Sequence, residues 1–102
     1  MLARPAIAAI AVAALVASDT AHAQDLEYGR HLANECRTCH RNATDTSAIP
    51  NIFGMAAPRL ATLLRAYREK KLPNEVMQNI AGRLKDEDID ALATYFAVTK
   101  QP

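Results

Sequence analysis

Two cysteines and one histidine lie within five residues of one another in this chain. Their types and spacing make them the strongest candidates for a functional site. Cys36 and Cys39 are separated by two residues and His40 follows at once, giving C-R-T-C-H. A disulfide across so short a loop would brace the fold little, because its entropic gain grows with loop length. A thioredoxin-like pair needs a βαβ setting that the sequence lacks, and a zinc site needs four ligands.

The remaining interpretation of C-x-x-C-H is the attachment signature of c-type haem. Thiols three residues apart on one helical turn can each add to one haem vinyl group and form two thioethers. The histidine that follows then supplies the proximal nitrogen to the iron. We therefore predict that Cys36, Cys39 and His40 hold one covalently attached haem c.

The second axial position of the iron needs a ligand from elsewhere in the chain. Met77 follows His40 by a long stretch that includes a full predicted helix, so the chain can return there across the other haem face. Met55 follows His40 more closely, inside a loop. We predict Met77 as the distal ligand, with Met55, His31 and the absence of a methionine ligand as alternatives.

A loop is predicted from Arg41 to Ala57, where Thr, Asn, Ser and Pro occur without a sustained period. Within it, Pro50 lacks an N–H but keeps a carbonyl that is able to accept a hydrogen bond from the ring of His40. Such a bond would fix the orientation of the imidazole and raise its basicity. The alternative is that Pro50 is an ordinary loop residue.

Apolar residues at helical spacing predict an all-α fold, with about four helices and one long loop around the haem. The predicted helices cover Asp25 to Cys39, Pro58 to about Lys70, Glu75 to about Ala81 and Asp86 to Val98. Gly29 lies on the apolar face of the first helix, where the missing side chain suits the close approach of another helix. The last helix is the predicted partner of this face.

The first 23 residues are predicted to be an export signal. Arg4 precedes an uncharged stretch from Ala6 to Ala17, which is short of the roughly 20 residues that a membrane span needs but fits a signal-peptide core. A small-x-small pattern ends at Ala23. We predict cleavage there, a signal peptide over 1–23, a periplasmic domain over 24–102 and no stable membrane span afterwards; an uncleaved anchor is the alternative.

Composition narrows the class of protein further. The chain has 102 residues and a formal net charge of +1, so bulk charge does not indicate a nucleic-acid binder. Beyond the predicted signal the domain is small, and domains of that size usually need a staple besides their hydrophobic core. A covalently attached haem would supply that staple as the largest apolar body in the core.

With these motifs in view, the sequence resembles a class I cytochrome c. More narrowly, it resembles the small mono-haem cytochromes c and the cytochrome subunit of flavocytochrome c sulfide dehydrogenase. The shared motifs are G-x-x-L-A-x-x-C-x-x-C-H from Gly29 to His40, I-P-N-I-x-G from Ile49 to Gly54, and the stretch from Pro73 to Phe96.

The resemblance implies the class I cytochrome c fold around one covalently bound haem. It implies Cys36 and Cys39 as the thioether residues, His40 as the proximal ligand, Met77 as the distal ligand and Pro50 as the support of the histidine. These families often have serine before the last helix, where this chain has Lys85. Asp86 is therefore the expected cap of that helix.

The implied role is one-electron transfer without catalysis at the haem, because both axial positions would be filled. Redox proteins are the expected partners, with a periplasmic flavoprotein dehydrogenase as the specific candidate. Arg37, Thr38 and Arg41 are predicted to flank the haem edge and to orient docking. A free soluble carrier and a haem-based sensor with a labile sixth ligand are the alternatives.

Overall fold

Four helices make up the described part of the protein. The computed structural model describes residues 23, 25–44 and 48–102, so the predicted export signal lies outside the described residues apart from Ala23. Helix α1 covers residues 25–40, α2 Ala57–Arg68, α3 Glu75–Gly82 and α4 Asp86–Ala97. These described segments contain no strand, which confirms the all-α prediction, and no helix among them is long and apolar enough to cross a membrane.

Helix α2 ends earlier than the apolar periodicity predicts, and a left-handed residue is the reason. Lys70 has a φ of 60°, a conformation that stops helix propagation in L-residues. The N–H of Lys70 donates to the carbonyl of Tyr67 at 3.0 Å, and the N–H of Lys71 donates to the carbonyl of Ala66 at 2.8 Å. This pair of bonds is a Schellman motif. Such motifs are usually built on glycine, so a lysine at this position does not indicate one.

The cap of helix α4 differs from the prediction. Lys85 precedes the helix, and its N–H donates to Oδ2 of Asp88 at 2.9 Å. Asp86 does not cap the helix as expected, because its carboxylate accepts instead from the guanidinium of Arg68 at 2.7 Å. That pairing lowers the pKa of Asp86 and joins the end of α2 to the start of α4.

Helices α1 and α4 cross at Gly29, as predicted. A Cβ at this position would lie 2.3 Å from the carbonyl oxygen of Ala91 and 2.8 Å from Cβ of Tyr95. Next to the crossing, the hydroxyl of Tyr28 donates to the carboxylate of Asp88. This hydrogen bond lowers the pKa of Asp88 and raises the pKa of Tyr28.

The core forms where α1, α2, α4 and the loop before α2 meet. Phe53 from the loop packs edge-to-face against Phe96, with ring centroids 5.1 Å apart, and the N–H of Gly54 donates to the carbonyl of Phe96 at 2.8 Å. The buried cluster comprises Ala33, Ile52, Phe53, Leu60, Ala61, Leu64, Ile89, Leu92, Ala93, Tyr95 and Phe96. These two contacts fix the loop to α4.

Candidate haem-attachment site

The C-x-x-C-H segment forms the last turn of α1. Cys36 is half-buried and packs against the core cluster, whereas Cys39 is exposed, and both are free thiols. The N–H of Arg41 donates to the carbonyl of Arg37 at 3.1 Å, which continues the helical bonding past His40. Both thiols therefore lie on one helical turn, the arrangement that two thioether bonds to one haem require.

The surroundings of Cys36 are unlike those of a redox-active C-x-x-C pair. Burial, with a smaller contribution from the Glu35 carboxylate, raises the pKa of the Cys36 thiol to about 11. Redox-active C-x-x-C pairs depend on a lowered cysteine pKa. Among the described residues, no three His, Cys, Asp or Glu side chains converge to hold a bare metal ion, so these positions show no zinc-type cluster.

His40 is buried and tied to the loop that follows it. Its Nδ1 lies 2.7 Å from the carbonyl oxygen of Pro50. A carbonyl only accepts hydrogen bonds, so Nδ1 is the donor to Pro50 and Nε2 is the ring nitrogen left to bind a metal. The contact hypothesised from the sequence is present, while the role of His40 as an iron ligand stays a prediction.

The two candidate methionines occupy different segments. Met55 and Met77 are both half-buried against the core cluster, so burial does not separate them. Met77 lies in the first turn of α3, where Oδ1 of Asn74 accepts its N–H at 3.0 Å. Met55 lies in the loop that carries Pro50. His31 is exposed on α1.

The residues predicted to flank the haem edge line one basic cleft of about 490 Å³, which we call the C-terminal cleft. Its lining comprises Asn34, Arg37, Thr38, Arg41, Phe53, Thr99, Lys100 and Pro102. The guanidinium of Arg37 lies 5.2 Å from the ring centroid of Tyr95, so this side chain faces α4. Nε2 of Gln101 donates to the carbonyls of Arg41 and Ala43 at 3.1 and 2.9 Å, which holds the C-terminal segment against the end of α1.

Two charged features near the site were missed by the sequence reasoning. Lys100 joins Arg37 and Arg41 in the C-terminal cleft, and Arg83 donates to the carboxylate of Glu35, the residue before Cys36. Each feature brings together residues that are far apart in the chain. No local pattern in the sequence could have paired them.

These side chains fit a covalently bound haem. Two free thiols lie on one helical turn, and the adjacent buried histidine has its second ring nitrogen available, which is the donor set of a c-type cytochrome. The comparison with known proteins agrees with this class. Residues 23–96 match the family model described as cytochrome c oxidase, cbb3-type, subunit III, and the chain belongs to this family of c-type cytochrome domains.

One relative has a name that states an electron-accepting role. The thiosulfate dehydrogenase electron acceptor of Stutzerimonas stutzeri (strain A1501) is 35% identical over 68 residues, which cover 62% of this chain and 32% of that protein. The chain thus spans about a third of the length of this relative.

Family membership implies a covalently bound haem c, as predicted from C-x-x-C-H. Together with the relative, it supports non-catalytic electron transfer. The narrower resemblance to a sulfide dehydrogenase subunit stays a prediction.

Proposed function

We propose that this chain is a periplasmic mono-haem cytochrome c that accepts single electrons from a dehydrogenase acting on an inorganic sulfur compound. A flavin-containing sulfide dehydrogenase is the specific candidate from the sequence motifs. The name of the relative from Stutzerimonas stutzeri adds a thiosulfate dehydrogenase as a second candidate donor. The observation that carries the proposal is the C-x-x-C-H turn with His40 held by the carbonyl of Pro50.

The haem, when bound, supplies an iron that gains and loses one electron. Cys36 and Cys39 would hold the haem through two thioethers. Each addition would break the thiol S–H bond and the π bond of one vinyl group, and would form one C–S and one C–H bond. His40 would bind the iron through Nε2, and the hydrogen bond to Pro50 would keep its ring in one orientation. Such a hydrogen bond fixes the orientation of a ligating imidazole and raises its basicity.

Met77 is the proposed distal ligand, and its position in the fold supports the choice over Met55. The loop of Met55 also carries Pro50, which is bound to the proximal histidine. Met77 lies on a separate helix whose first turn is fixed by the bond from its N–H to Asn74. Two ligands on opposite haem faces are more readily supplied by two independent segments than by one.

Near-infrared spectroscopy of the ferric protein tests this assignment. A weak band reports the bond between methionine sulfur and iron. We expect the band to vanish in Met77→Ala and to persist in Met55→Ala, the matched control from the same core cluster. The reverse result would assign the distal position to Met55. Ready binding of carbon monoxide to the ferrous wild type at neutral pH would instead favour the sensor alternative.

The proposed docking region is the C-terminal cleft, where Arg37, Arg41 and Lys100 supply positive charge beside the attachment turn. Arg37 and Thr38 are the two residues between the cysteines, so this cleft adjoins both thioether positions. A local patch on a protein of low net charge gives orientation with modest dependence on salt.

Export and processing form part of the proposal. Cleavage after Ala23 would remove residues 1–23 and release the domain into the periplasm. Mass spectrometry of protein recovered from the periplasm measures the N-terminus directly. A chain beginning at Gln24 is expected, and a chain that retains Met1 would favour the anchor alternative.

The electron donor is tested with purified proteins. Oxidised cytochrome is mixed with sulfide or thiosulfate, with and without the corresponding dehydrogenase, and haem reduction is followed by absorbance. We expect fast reduction only when dehydrogenase and its substrate are both present. A stable complex with a flavoprotein favours the subunit role, and a native monomer favours a free carrier. Equal reduction rates without any dehydrogenase would contradict the proposal.

A further inference from the structure

We propose that the ion pair between Glu35 and Arg83 is a latch that holds α3, and with it Met77, against the haem-attachment turn. Both are positioning residues, because each acts through the segment that carries a ligand. The proposal rests on Met77 as the distal ligand.

The two ends of the pair lie at the two segments that meet the haem. Glu35 directly precedes Cys36, and Arg83 directly follows the last residue of α3, where it is the C-cap. The guanidinium of Arg83 donates through Nη2 to Oε1 of Glu35. Its Nε points to the carbonyl of Asn79 at 3.4 Å, which keeps the side chain along its own helix.

The other side-chain hydrogen bonds that hold α3 join it, or the residues next to it, to α2 and to the connection after α2. Nε2 of Gln78 donates to the carbonyl of Leu72 at 2.9 Å, in the connection from α2. Arg68 of α2 donates to the carbonyl of Leu84 at 3.2 Å, just after α3. Within the described residues, the pair of Glu35 and Arg83 is the side-chain hydrogen bond or ion pair that joins the end of α3 to α1.

The pair is exposed, with side-chain exposures of 51% for Glu35 and 64% for Arg83. An exposed pair contributes little to global stability and is screened by salt. We expect the pair instead to raise the free energy of a local opening in which α3 moves away from the attachment turn. Such local openings have free energies well below that of global unfolding, so a small contribution changes their population measurably.

Imidazole binding to the ferric holoprotein reports this motion, because imidazole enters only after Met77 has left the iron. We expect Arg83→Gln and Glu35→Gln each to accelerate binding about two- to fivefold, the range of an exposed ion pair. The double variant should be no faster than the faster single variant. Glu35→Arg combined with Arg83→Glu should return the rate towards that of the wild type.

The matched control is Arg65→Gln, which removes the exposed ion pair of Arg65 with Asp90 between α2 and α4. Its imidazole rate should equal that of the wild type. In about 1 M salt, where the Debye length is roughly 3 Å, the difference between Arg83→Gln and the wild type should become smaller. Unchanged rates in Arg83→Gln and Glu35→Gln would overturn the latch, as would an equal acceleration in Arg65→Gln.

The same measurements separate failure of the latch from failure of the proposed ligand. If Met77→Ala keeps both the near-infrared band and the wild-type imidazole rate, Met77 is not the ligand and the latch falls with it. If Met77→Ala loses the band while Arg83→Gln leaves the rate unchanged, the ligand stands and only the latch is wrong.

Discussion

The backbone at Gly29 lies directly against the carbonyl of Ala91, so close that a Cβ on residue 29 would stand 2.3 Å from the carbonyl oxygen. Two helices meet at this point without an intervening side chain. The contact fixes how α1, which carries the haem-attachment turn, rests on α4. Adding even one methyl group at residue 29 should therefore lower the stability of the whole domain.

We expect Gly29→Ala to lower the free energy of unfolding by about 1–3 kcal/mol, the usual cost of overpacking. The obstacle is a backbone carbonyl, which cannot rotate away as a flexible side chain would. Urea unfolding of the holoprotein gives the value.

The matched control is Gly82→Ala at the end of α3, where an added Cβ meets no heavy atom within 4 Å. There the helical preference for alanine should raise stability by about 0.5–1 kcal/mol. Equal losses in the two variants would contradict the close crossing.

Acid stability should depend on the hydrogen bond from Tyr28 to Asp88. That bond, together with the N–H of Lys85, holds the pKa of Asp88 below its ordinary value of about 3.9. A carboxylate with a lowered folded pKa contributes stability above its unfolded pKa and loses it as the pH falls through the folded value. Tyr28→Phe should therefore destabilise the protein at pH 7 and progressively less below about pH 4.

Urea midpoints measured across this pH range for the wild type and Tyr28→Phe test the prediction. The control is Tyr67→Phe on α2, a tyrosine without a carboxylate contact among the described residues. Its difference from the wild type should not vary over the same range. A Tyr28→Phe difference that stays constant from neutral to acid pH would show that Asp88 gains nothing from the hydroxyl.

The left-handed residue after α2 offers a stabilising change. Lys70 adopts a φ of 60°, at a steric cost of about 1–2 kcal/mol for an L-residue. Glycine avoids that cost but loses more freedom on folding, so Lys70→Gly should add a net gain of about 0.5–1 kcal/mol. Thermal unfolding of the wild type and Lys70→Gly measures this gain in stability. Lys71→Gly is the control, since glycine at that neighbouring position should not raise stability.

Loss of the haem should prevent stable folding. In the variant with Cys36→Ala and Cys39→Ala, no thioether forms and the domain loses its largest apolar body. We expect circular dichroism to show weak helicity and no cooperative thermal transition, because domains of this size gain few kcal/mol from their core alone. A sharp, cooperative transition in this haem-free variant would contradict the prediction.

Local sequence determined the chemistry of this protein and most of its helices. Cys36, Cys39 and His40 are neighbours in the chain, so one helical turn brings them together whatever the rest of the fold does. The bond from His40 to Pro50 was within reach of the same reasoning, because the two residues are 10 positions apart in the chain. Helix ends were harder: the left-handed Lys70 and the reach of Asp88 back to Lys85 depend on backbone conformations that few residue types require.

Only the tertiary structure decided which distant residues meet. Arg83 contacts Glu35 because the end of α3 lies beside the attachment turn. Lys100 lines the same cleft as Arg37 because Gln101 holds the C-terminal segment against the end of α1. Apolar periodicity states which face of a helix is buried, but it leaves open where surface charges will lie. Charged pairs add too little energy to direct the fold, so their partners follow from packing and are absent from any local pattern.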